Sequence, residues 1–209
     1  MRYRCPICGN WRTDHTIIDE WSDVIPPPAP ELKAVSIDPT STALLILDME
    51  DSICNNSLCV ASIPKINYLL TEARKSGMLV VYSLTHTGNA SDITHLLRPT
   101  LNEPIVKSNV DKFYNTELEQ ILQRNHIRTV IVTGYAANGA VLHTATAAAF
   151  RGYDVVVPVD GMSAANPYAE QYTAWHMLNS PGTRNRAVLS KTDLILLQHR
   201  MKMNNHSFQ

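Results

Sequence analysis

Three stretches of this sequence carry groups able to act on a small molecule, and each group stands where an apolar run stops. ALLILDM (43–49) is a continuous apolar run that reaches Asp48. A carboxyl group there can give or take a proton, or it can simply cap a turn. PIVK (104–107) ends in Lys107. An ammonium there can hold an electron-rich oxygen, or stay solvated as most single lysines do. TVIVTGYAANGAVLHTATAAAFRGY (129–153) is an apolar run, a turn of small residues and an alanine-rich segment. Such a strand–turn–helix presents backbone N–H groups to ligands in α/β folds, and it also suits close packing with no chemistry at all. Tyr135, Asn138 and His143 lie in or just after this turn as candidate substrate-binding residues. His143 follows Ala140 by about one helical turn and so shares its side.

The elements that position these groups are legible from periodicity. Val130, Ile131 and Val132 are β-branched and continuous, as in a strand covered on both faces. MLVVYSL (78–84) and DVVVPVD (154–160) read the same way. Helices are expected at Ile63–Ser76, Thr116–Asn125, Gly139–Arg151 and Pro167–Leu178, with a short edge strand at 104–107. Short strands are expected at Ala187–Ser190 and, as strand or turn, at Thr192–Leu197. Strands alternating with helices predict an α/β fold: three layers, doubly wound, with a mostly parallel sheet flanked by helices. Ligands in such folds bind beyond the carboxyl ends of the strands, where Asp48, the turn at 134–140 and Asp160–Ser163 are expected to converge.

Residues 1–40 read as an N-terminal arm, extended and stiff around Pro26, Pro27, Pro28 and Pro30, and residues 41–209 as the domain proper. Such an arm wraps its own domain or a neighbouring subunit. The chain has 209 residues, 44% hydrophobic and 18% charged, with formal net charge −1. No basic face is implied, so nucleic acid and anionic membrane are not expected partners. No apolar run approaches the ~18 residues of a transmembrane helix. MRYRCPICGN lacks the apolar stretch of a signal peptide, and a cytoplasmic protein is expected. Cys5 and Cys8, in CPICG, resemble half of a zinc ribbon whose second half is missing. His15 or a second protomer would have to complete it, and two plain thiols are the alternative. Cys54 and Cys59 could pair, but in the cytoplasm they are expected as thiols.

Taken in order, LLILDME (44–50), KSNVDKF (107–113), TVIVTGYAANGAVLHTA (129–145) and RGYDVVVPVDGMSA (151–164) resemble the isochorismatase-like cysteine hydrolase superfamily. That group includes nicotinamidases, N-carbamoylsarcosine amidohydrolases and isochorismatases proper. The resemblance spans about Thr42 to Leu196 and implies the α/β fold just described. It also implies an Asp–Lys–Cys triad, with Asp48 as the acid and Lys107, six residues before Phe113, as the lysine. Phe113 resembles the family's pocket aromatic. The cysteine position, directly before Val141, holds Ala140, and a methyl group cannot attack a carbonyl. The resemblance further implies an oxyanion hole from the N–H groups of Ala136 and Ala140, with a cis peptide at Tyr135–Ala136. The Asp-x-His metal motif of nicotinamidases is absent from Thr85-His86-Thr87, so no cofactor and no active-site metal are expected.

Three activities remain compatible with these residues. One is a hydrolase without a cysteine nucleophile, using Asp48 as acid or base on a small organic substrate, as isochorismatases proper do on a vinyl ether. Another is a catalytically degenerate member that binds a small molecule or partner. The third is a cysteine amidohydrolase whose nucleophile has been replaced by Ala140. The superfamily's habits and the arm imply a homo-oligomer, dimer or tetramer.

Overall fold

The computed structural model describes residues 2–4, 11–13 and 16–198. Cys5, Cys8 and His15, the zinc candidates, lie outside the described residues. The chain divides into two compact units, residues 1–30 and 31–209. The first is not wholly extended: β1 (Arg2–Arg4) pairs antiparallel with β2 (Trp11–Thr13). The second begins ten residues earlier than the expected boundary. The reason is β3 (Val35–Ile37), which pairs in parallel with the last strand, β11 (Ile195–Leu197).

The main sheet of the second unit is built from β4 (Thr42–Leu47), β5 (Leu79–Leu84), β6 (Ile105–Lys107), β7 (Thr129–Tyr135), β8 (Asp154–Pro158) and β10 (Ala187–Ser190). Their spatial order is β10-β8-β7-β4-β5-β6, and every pair is parallel. The two-residue β9 (Met162–Ser163) adds to the end of β7. β4 is buried along its whole length, and its side chains alternate between two cores. Leu44 and Ile46 face α1 (Ser57–Ser76) through Ile66 and Leu70. Ala43, Leu45 and Leu47 belong to the opposite core, with α2 (Leu118–Arg124), α3 (Leu142–Phe150) and α4 (Pro167–Asn179). This is the expected three-layer, doubly wound α/β architecture.

From β4 the chain winds outward to β5 and β6, and from β7 it winds outward the other way. The switch point therefore lies between β4 and β7, at the carboxyl ends that carry Asp48 and the small-residue turn. α1 starts at Ser57 rather than Ile63, because the Asn56 side chain accepts from the Cys59 N–H at 3.0 Å and caps the helix. Cys54 and Cys59 flank that cap and are joined by a disulfide, where thiols were expected. Asp160 does not join the switch point through its carboxylate, which instead accepts from the Thr192 N–H and hydroxyl, both at 2.8 Å.

Candidate active site

β4 and β7 run in register from Thr42↔Thr129 to Leu47↔Gly134. At the last pair the two backbones are so close that a Cβ on Gly134 would overlap the Leu47 carbonyl oxygen. Gly134 also has φ +120°, open to glycine and rarely to other residues. This approach brings the turn after β7 beside Asp48, which itself has φ +49°. Asp48 is buried, at 6% exposure. Its Oδ1 accepts from the Ser83 hydroxyl at 2.7 Å.

The cation beside Asp48 is Lys112. Its Nζ lies 2.7 Å from Asp48 Oδ2, and its side chain is wholly buried. Lys107, the expected partner, ends the edge strand β6 and is exposed. An edge strand at the limit of the sheet sends its terminal side chain to solvent. The chain then turns at Ser108–Asp111 and brings in the lysine five residues on. The same Nζ donates to Ser108 O at 2.9 Å and to Asn109 O. An ammonium has three N–H donors, so all three are used. Lys112 thus orients Asp48 and anchors its own turn rather than reaching for a ligand. Thr144 of α3 holds that turn from below: its Oγ1 accepts from Lys112 N and donates to Val110 O, both at 3.2 Å.

Burial pushes the Asp48 carboxyl above the usual carboxylate range, and Glu50 nearby adds to the rise. The Lys112 charge and the hydrogen bonds from Lys112 and Ser83 oppose it without cancelling it.

One feature of the turn after β7 that the resemblance implied is present. The Tyr135–Ala136 peptide is cis. Among the described residues, no acceptor takes the Ala136 N–H. The N–H groups on either side of Ala140, those of Gly139 and Val141, both donate to Ala136 O, at 2.9 and 3.2 Å. Ala140 itself is buried. Tyr135 is half-buried and accepts at its hydroxyl from Asn56 Nδ2 at 3.2 Å, so the wall after β4 is tied to the turn after β7. Replacing Asn56 by alanine removes both a helix cap and this tie. The expected cost is about 1–2 kcal/mol, or a fall in Tm of roughly 2–8 °C by calorimetry. An unchanged Tm would show that neither bond contributes.

The remaining candidates are dispersed. Asn138 is exposed at the turn's tip. Phe113 is 5% exposed, and its ring packs 6.2 Å from the Tyr153 ring and carries the Arg151 guanidinium on its face at 4.5 Å. Its immediate neighbour Lys112 takes the inward route to Asp48, and Phe113 joins the core with Leu118 and Leu122. His143 is exposed and lines a groove of about 450 Å³ between α3 and α4, with Thr146, Tyr172 and His176; neither Asp48 nor Lys112 lines it. Burial, and then His143, pushes the His176 imidazole below its ordinary value. His86 and His95 are exposed in the segment after β5. Sequence reasoning missed Lys112, Ser83, Asn56 and Thr144. Only Lys112 had a visible signal, standing directly before Phe113.

Comparison with known proteins bears on the family and the fold. A family model described as the isochorismatase domain matches residues 42–192. The secreted isochorismatase effector Isc1 of Verticillium dahliae is 28% identical over 145 residues, covering 59% of this chain and 76% of that protein. The uncharacterized isochorismatase family protein YaaI of Bacillus subtilis is 26% identical over 160 residues, covering 66% and 88%. The crystal structure of N-carbamoylsarcosine amidase from Thermoplasma acidophilum superposes with a TM-score of 0.63 at 22% identity, over 73% of this chain and 97% of that one.

Proposed function

We propose, from the premise that the chain belongs to the isochorismatase family, that it hydrolyses a small organic substrate by proton transfer at Asp48, without a covalent enzyme intermediate. The observation that carries this reading is the sealed Asp48–Lys112 pair at the switch point, whose carboxyl is raised by burial while its orientation is fixed. A carboxyl held in this way keeps its proton to higher pH than a solvated one and can serve as a general acid. Ala140 stands at the position where cysteine members carry their nucleophile, and its methyl leaves no covalent route.

The substrate class that matches an acid without a nucleophile is a vinyl ether. Asp48 donates its proton to the terminal vinyl carbon, leaving an oxocarbenium ion. Water adds to the cationic carbon and returns a proton to the Asp48 carboxylate. The resulting hemiketal collapses to a ketone and an alcohol, so atoms and charge balance. The name of the Verticillium relative supports this class for the present chain. A second reading is favoured by the unaccepted Ala136 N–H: with Ala140 N–H it would form an oxyanion hole for an amide, imide or carbamate, attacked by water that ionised Asp48 activates.

The test is turnover of a panel of vinyl ethers, amides, imides and carbamates by the native chain, by Asp48→Asn and by Ala140→Cys. Loss of an acid–base group is expected to lower kcat by about 10²–10⁴-fold in Asp48→Asn. The preferred native substrate separates acid chemistry from water activation. Undiminished turnover by Asp48→Asn would sink both readings. Tight binding with no turnover would identify a degenerate binder. Amidase activity gained only in Ala140→Cys would identify an amidohydrolase site that has lost its nucleophile.

A further inference from the structure

We propose that Glu50 is a positioning residue for this site: its buried carboxylate fastens the loop after β5 to the chain segment that carries Asp48, and sets a second acid two residues along the chain from it. This rests on the acid role proposed above for Asp48.

Glu50 is 3% exposed. Its Oε1 accepts from the Thr85 N–H at 2.6 Å and its Oε2 from the Thr85 hydroxyl at 3.1 Å. The loop is shaped around the carboxylate: a Cβ on Gly88 would lie 2.8 Å from Oε1 and overlap Oε2. The backbone is joined at the same place. Glu50 forms an antiparallel bridge with Ile93, Asp51 N donates to Asp92 O at 2.8 Å, and Thr94 N donates to Met49 O at 2.9 Å. On its other side the Glu50 carbonyl accepts from Ile53 N and Cys54 N, at 3.0 and 2.8 Å. Residue 50 is thus the joint between the loops that leave β4 and β5.

Among the described residues no cation lies within ion-pair distance of Glu50. A glutamine of the same shape could meet both Thr85 groups, because a hydroxyl accepts as well as donates and the amide oxygen can face the N–H. A buried unpaired carboxylate is the costlier choice, so its charge needs a reason beyond shape. The groups that act on the Asp48 carboxyl are Lys112 from the turn after β6, Ser83 from β5, and Glu50 two residues along its own chain. Lys112 and Ser83 favour the carboxylate. Glu50 works against it, and so helps Asp48 keep the proton that acid chemistry requires.

The test compares the native chain with Glu50→Gln. The ionisation of Asp48 is followed by ¹³C NMR of aspartate-labelled protein, assigned by the signal missing from Asp48→Asn. The Asp48 midpoint is expected to fall in Glu50→Gln. With a turned-over substrate, the alkaline limb of the rate profile is expected to move down equally, leaving KM nearly unchanged. An unmoved midpoint in a folded Glu50→Gln protein overturns the proposal. The titration needs no turnover, so a shifted midpoint in a protein with no activity would sink the acid reading and leave the pairing of Glu50 with Asp48 standing. If Glu50→Gln does not fold, Glu50 is titrated in the native chain by glutamate labelling. A Glu50 already ionised where Asp48 titrates supports the proposal, and one still neutral there overturns it.

Discussion

Lys112→Met is expected to lower the unfolding free energy by about 3–5 kcal/mol, because it strands a buried carboxylate. The pair is sealed: Lys112 is fully buried, Asp48 nearly so, and their charged atoms are 2.7 Å apart. Methionine fills the stem of the lost side chain but offers no charge. It also leaves the Ser108 and Asn109 carbonyls without the donor that Nζ supplied. For a chain of this size the expected fall in Tm is roughly 6–20 °C. Asp48→Asn should be costly for the mirror reason, since it strands the ammonium. Removing both charges together, in Asp48→Asn with Lys112→Met, is expected to cost less than the sum of the two single changes. A double variant whose loss equals that sum would show that the two charges act independently.

The defect has a pH signature with a definite sign. Asp48 titrates above its unfolded value in the native chain. Its protonation therefore contributes stability that is fully present below about pH 3.9, the unfolded value, and is lost as pH rises through the folded value. Without Lys112 the folded value moves higher still. The gap in stability between Lys112→Met and the native chain should then be smallest in acid and widen toward neutral pH. Thermal melts across pH 4 to 8 read this directly, and a gap that narrows with rising pH would contradict it.

The parts of this molecule that were legible in the sequence are those set by local pattern. β4 and β7 announce themselves as continuous β-branched and aliphatic runs because both faces of each are covered, Leu44 and Ile46 by one helix layer and Leu45 by the other. The end of β4 then fixed Asp48, and the run of small residues fixed the turn. Lys112 was less legible than Lys107 because periodicity stops at the edge strand. The turn that follows is held by side chains and carbonyls, Ser108, Thr144 and Val110 among them, that have no spacing rule. The packing of Phe113 was illegible for the same reason: within one turn, Lys112 goes to Asp48 and its neighbour Phe113 to the core. The start of α1 depends on Asn56 as a cap, inside the loop that the Cys54–Cys59 bond closes, and the six unpatterned residues from Asp51 to Asn56 gave the helix no visible beginning.

Gly134→Ala is expected to be the most damaging single methyl group in the chain. Two effects meet at this position. The backbone sits at φ +120°, where a side chain is strained whatever the space. The added Cβ would also overlap the Leu47 carbonyl oxygen and lie 2.8 Å from the Leu47 nitrogen. Neither backbone can give way, since β4 and β7 are the two central strands, locked over six register pairs. Gly134 N is further held by Gly161 O at 2.9 Å. Gly152→Ala isolates the first effect, because Gly152 has φ +89° and nothing lies within 4 Å of where an added Cβ would stand. That change should cost about 1–2 kcal/mol, the ordinary penalty for a side chain in left-handed backbone. Gly134→Ala should exceed about 4–5 kcal/mol, enough to leave little folded protein in a chain of ordinary stability. Soluble yield and Tm of the two variants measured side by side decide the matter. Equal losses would mean that strand ends at the switch point can part far enough to admit a methyl. A loss much larger in Gly134→Ala than in Gly152→Ala would show that the close approach of β4 to β7 beside Asp48 admits no side chain at residue 134.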